Sequence, residues 1–151
     1  MQLSALLSTI ALVASTAAAA PAGQVSMMAA GQEWTIEQLQ RKCDNKDSVC
    51  DWTFSVNTHE PNVKPTACKL TVKGAGSTVA SRSNGGPVNC GPYTVTSGWS
   101  GHFGDGQGFT VLSVVDNKKH LIVWPGYTDK QVEGGEVVTP DQSYTPTSLK
   151  L

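Results

Sequence analysis

The chain has 151 residues, 39% of them hydrophobic and 15% charged, and 11 basic against 12 acidic residues leave a net charge of −1. That length matches one domain built on one core. Its basic residues are scattered, adjacent only at Arg41-Lys42 and Lys118-Lys119, so it lacks the field that draws proteins to nucleic acid or anionic membranes, and neither is expected as a partner.

The first element is an apolar run, Ala5 to Ala14, followed by the small-residue stretch Ser15 to Ala20. An apolar segment of about 10 residues before an A-x-A pattern predicts a secretory signal peptide over residues 1–19. It is too short to span a bilayer, and no membrane insertion is expected. Residues 20–32 mix Ala, Gly, Ser and Met without period and read as a flexible mature N-terminus. Residues 33–151 form the expected folded domain. No N-x-Ser/Thr sequon occurs.

Four cysteines, Cys43, Cys50, Cys68 and Cys90, predict disulfides in a secreted chain. Their spacing does not suit zinc, so no metal and no other cofactor is expected. Four cysteines admit three pairings. Cys43–Cys50 and Cys68–Cys90 are favoured, because each closes the gap between neighbouring elements. On the loop-entropy account they contribute about 2.5 and about 3.4 kcal/mol.

Trp34-Thr35-Ile36 alternates and reads as a strand, with a short helix as the alternative because Ile36, Leu39 and Cys43 also share a helical face. Asp51 to Thr58 alternates cleanly and points Trp52, Phe54 and Val56 at a core. His59 to Pro65 is a loop. Cys68 to Lys73 alternates again and places Cys68 on the buried side with Leu70 and Val72. Ser77–Ser81 reads as a short strand, Ser83–Pro87 as a turn, Tyr93–Thr96 as a strand and Gly98–Gly108 as a glycine-rich loop. Phe109–Val115 and Lys119–Trp124 read as a hairpin, with Trp124 in the core and His120 on its parity. Val132–Val138 suggests an edge strand, and the tail from Thr139 a loosely packed end. About eight short strands with turn signals between them predict an all-β fold: a small, disulfide-stapled antiparallel β-barrel or sandwich.

Catalytic patterns are weak. Gly98-Trp99-Ser100-Gly101-His102 begins like a nucleophile elbow but lacks its last glycine and its strand–turn–helix setting. Gly104 to Phe109 is followed by a strand, which is the wrong context for a phosphate cradle. No spacing among the twelve acids marks a glycosidase pair. His59 beside Glu60 reads as a solvated pair and His120 as a core or edge residue. No catalytic residue is assigned. The Gly98–Gly108 loop is the candidate binding surface, through Trp99, His102, Phe103, Asp105 and Gln107, since aromatics and polar groups on a held loop suit recognition. A glycine-rich lid over the barrel end is the competing reading.

Several stretches resemble a known group. Glu33-Trp34-Thr35-Ile36-Glu37, Cys50-Asp51-Trp52-Thr53-Phe54, Ala67-Cys68, Gly86 to Pro92, Ser97-Gly98-Trp99-Ser100-Gly101 and Asp116 to Trp124, after a leader ending Ala-Pro, resemble small secreted proteins of filamentous fungi. In particular they resemble the hypersensitive-response-inducing elicitor proteins, whose domain is similar to the Alternaria major-allergen β-barrel. The resemblance implies a compact barrel with two disulfides, located in the apoplast or fungal wall. Plants would perceive it through a cell-surface or apoplastic protein, or it would bind a wall glycan. A wall or spore-surface structural protein and a cryptic secreted hydrolase are the alternatives from other classes.

Overall fold

Alternating apolar and polar residues build most of the strands, and ten of them form two antiparallel sheets. The computed structural model describes residues 32–150. Residues 1–31, which carry the expected leader and nearly all of the expected flexible segment, lie outside the described residues. The first sheet contains β1 (Trp34–Cys43), β2 (Val49–Asn57), β3 (Thr66–Lys73) and β9 (Gln142–Tyr144), ordered β3-β2-β1-β9. The second is ordered β10-β7-β6-β5-β4. Its strands are β4 (Gly85–Cys90), β5 (Tyr93–Ser100), β6 (Phe109–Asp116), β7 (Leu121–Val123) and β10 (Thr147–Ser148). A further strand, β8 (Gly126–Thr128), also pairs with β6. The fold is all-β, as the alternation predicted.

The inward faces of both sheets share one core. Trp52, Phe54 and Val56 of β2 meet Leu70 and Val72 of β3 on one side, and Val95, Leu112 and Val114 on the other. Trp34 and Tyr93 bridge the sheets edge to face, with ring centroids 5.6 Å apart, a geometry that adds to burial. Two disulfides join Cys43 to Cys50 and Cys68 to Cys90. The first links directly opposed residues of β1 and β2, and the second ties β3 to β4 across the sheets.

β1 is continuous, but a bulge between Glu37 and Gln40 shifts its parity. Ile36 and Leu39 therefore both face inward, and so does Arg41. Gln38 takes φ 51° in the bulge, and Asp141 Oδ1 accepts from its N–H at 2.8 Å. This bulge is why the segment also fitted a helical face.

Several expectations need correction. Ser77–Ser81 is no strand: Ala80–Arg82 forms a 3₁₀ turn, because Asp47 reaches over from the β1–β2 connection and accepts the Ser81 N–H at 2.8 Å. Gly85–Pro87 is not a free turn but the start of β4, where Gly86 sits at φ 87° in an irregular pairing with β5. Val132–Val138 adds no strand. A short helix α1 (Asp129–Val132) forms instead, opened by Gln131 Oε1 accepting from Thr128 N at 2.9 Å. The tail is not loose, since β9 pairs with β1 and β10 with β7. Lastly, Trp124 is not in the core but 52% exposed. β7 and β8 keep one register along β6, so Val123, Pro125 and Tyr127 turn inward and Trp124 outward. His120 lies in the turn before β7 with φ 53° and is exposed, not in the core.

Candidate functional site

The glycine-rich segment is held at its base by one aromatic side chain. β5 extends to Ser100, so Trp99 belongs to a strand and stands opposite Thr110; the loop proper is residues 101–108. The half-buried indole lies under that loop. A Cβ on Gly101 would come within 2.5 Å of the ring, and one on Gly108 would meet both the ring and the Asp129 carboxylate. Glycine is required there by close approach. Two successive turns carry the chain over the ring: Gly104 N donates to Gly101 O at 3.1 Å, and Gln107 N to Gly104 O at 3.2 Å.

Behind the ring stands a polar layer from three elements. Asp129, at the start of α1, accepts the Trp99 Nε1–H at 3.0 Å through Oδ2. Its own N–H donates to Gly108 O at 2.9 Å. Its other oxygen faces Arg41 Nη1 at 3.3 Å. Arg41 is only 4% exposed. It also donates to Ser81 O at 3.3 Å and lies 5.5 Å from the Trp52 ring centroid. Arg82, from the 3₁₀ turn, lies over Trp99 at 5.7 Å. A cleft of about 200 Å³ beside the loop is lined by Arg82, Trp99, Asp105, Asp129 and neighbouring residues. A second cleft, of about 760 Å³, shares Arg82 and Asp129 with it.

The loop tip itself is open to solvent. His102, Phe103, Asp105 and Gln107 are all exposed. Phe103 is 70% exposed, with its ring centroid 5.7 Å from Phe109 and 5.5 Å from His102. The five expected site residues therefore separate: Trp99 is a buttress and the other four form the exposed tip. Sequence reasoning passed over Arg41, Arg82 and Asp129. Asp129 had a local signal, because Thr128-x-x-Gln131 is a capping pattern that starts a helix. The arginines had none, since their partners are far away in the chain.

The other candidates do not assemble a reactive centre around the tip. The His59 ring shares a 2.6 Å hydrogen bond with Thr35 Oγ1, which in turn bonds Ser143 Oγ at 2.8 Å. Glu60 pairs with Lys119 instead of His59. No carboxylate bonds the His59 ring among the described residues. Cys43, Asp47 and Cys50 bring ligand-type atoms within 4.8 Å of one another, but the two sulfurs are spent on each other. Asp51 is held below the usual carboxylate range by hydrogen bonds from Thr71 and Lys69, a local pairing between the outward faces of β2 and β3.

The sequence profile described as Effector TSP1 matches residues 35–150, which spans both sheets and the whole loop. A protein of Hypocrea virens named Effector TSP1 is 51% identical over 150 residues, covering 99% of each chain. The chain belongs to the Effector TSP1 family.

Proposed function

We propose that this protein is secreted through the leader read at residues 1–19 and acts outside the fungal cell by recognition, not catalysis. Its role is that of an elicitor that plants perceive with a hypersensitive response. The partner is a plant cell-surface or apoplastic protein. Two disulfides and membership of an effector family support the extracellular setting. The two packed sheets, tied together by the Cys68–Cys90 disulfide, give such a protein a compact, cross-linked scaffold.

One observation carries the reading: Phe103 is 70% exposed on a loop whose base is fixed. An apolar ring that large costs free energy in water unless a partner covers it, and aromatic anchors on rigid loops dominate binding energies. His102, Asp105 and Gln107 surround it with groups that can orient a partner.

Infiltration of purified mature protein into leaves tests this. The native protein should cause local defence or death. Phe103→Ala should melt at the same temperature yet need a dose about tenfold higher or more. An equal response from Phe103→Ala sinks the assignment of the loop, and no response to the native protein sinks the elicitor reading. A folded His59→Gln variant that lost all response would instead favour chemistry at the Thr35–His59 pair.

A further inference from the structure

We infer that Asp129 is the positioning residue that sets the recognition loop before any partner arrives, with Arg41 of β1 as its buried anchor. The inference rests on the loop reading above and adds how that loop gets its shape.

Three bonds converge on this residue. One carboxylate oxygen takes the Trp99 indole N–H at 3.0 Å. The other faces the Arg41 guanidinium at 3.3 Å. The backbone N–H ties Gly108 O at 2.9 Å, which closes the C-terminal end of the loop. Trp99 marks the N-terminal end. Asp129 thus grips both ends of residues 101–108 at once, and bonds that involve a charge are the stronger kind.

Arg41 makes the grip rigid. It is 4% exposed, stacked by Trp52, itself a core residue, and bound to Ser81 O. It therefore cannot follow the loop outward. A buried guanidinium that lost its carboxylate would keep only the Ser81 carbonyl and have no counter-charge, which is costly. Arg82 over the Trp99 ring closes the layer from the third element. Loops held in their bound shape bind more tightly because less ordering remains to be done.

The test uses the mature disulfide-bonded protein and two variants, Asp129→Ala and Asp129→Asn. Asn keeps an oxygen for the indole N–H but loses the charge that faces Arg41. Three quantities are read: amide hydrogen exchange over residues 101–108, the Trp99 indole N–H signal by NMR, and the dose that elicits a leaf response. Asp129→Ala should shift the indole signal and speed exchange in the loop by about tenfold or more, with the central strands still protected. Asp129→Asn should recover much of the indole signal and part of the protection. The eliciting dose should rise in the same order as the exchange rate. Loop exchange within about twofold of native in folded Asp129→Ala overturns the inference. An opened loop with an undiminished leaf response overturns the recognition reading beneath it, and Phe103→Ala then shows no loss either.

Discussion

Single residues show how little of a side chain's fate is written in its type. The chain has four tryptophans. Trp34 and Trp52 are buried in the core, Trp99 supports the loop, and Trp124 is 52% exposed. Trp52→Ala should cost about 3–5 kcal/mol, as expected for a large core truncation. Trp124→Ala should cost about 0.5 kcal/mol or less, as at ordinary surface sites. Urea denaturation of both variants checks the contrast, and similar losses would contradict the outward register of Trp124. Gly108→Ala belongs at this scale too. Its Cβ would press on the Trp99 ring and on the Asp129 carboxylate, so a loss of about 1–3 kcal/mol is expected from overpacking. A neutral effect would mean that the loop stands off the ring.

Among the elements, the short C-terminal tail touches both sheets. β9 makes three residue pairs with β1, and β10 two with β7. The tail thereby joins the edges of both sheets, while Asp141 satisfies the bulge at Gln38. Truncation after Pro140 should lower stability by about 3 kcal/mol or more, at roughly 0.5–1.5 kcal/mol per lost ladder bond. Amide exchange in β1 and β7 should rise while β2 and β6 stay protected. Unchanged exchange in β1 would show that the tail contributes nothing. β2 and β3 were legible because one face of each is buried and the period of two is uninterrupted. The tail was not, because its strands are two and three residues long and gain their order only from edges already formed.

Across the whole molecule, stability should form a plateau in pH. Burial, reinforced by Asp116 and Glu60, pushes the Tyr93 phenol up to about 12, and burial also raises Tyr127 and Tyr144. Unfolded tyrosine titrates near 10, roughly. The folded state favours the neutral phenol, so this contribution is full below about pH 10 and is lost as pH rises through 12. Asp44 and Asp51 move the other way. Hydrogen bonds from Ser48 and Thr71 respectively are the first cause of their lowered values. Their contribution is present above about pH 4 and is lost as pH falls below it. Melting temperature against pH should therefore fall at both ends, and Tyr93→Phe should flatten only the alkaline arm. Reduction of the two disulfides should lower the melting temperature at every pH, by the equivalent of about 2–5 kcal/mol per bridge. A reduced protein with an unchanged melting temperature would count against that role.

The sequence by itself determined the class of fold. Alternation in Asp51–Thr58 and Cys68–Lys73, β-branched residues around Phe109–Val115 and punctuation by glycine and proline leave an antiparallel all-β chain as the consistent answer, because periodicity and turn chemistry are local. It also marked the Gly98–Gly108 segment as unusual. Only the tertiary structure decided what that segment is. Arg41, Arg82, Trp99 and Asp129 come from separate elements, and nothing in their spacing relates them. The 3₁₀ turn at Ala80–Arg82, likewise, depends on Asp47 from another connection. Parity failed where a bulge or an apolar run on both faces hid it, at Leu39 and at Trp124. A period of two tells which residues share a face, but only the packed sheets decide which face is inside.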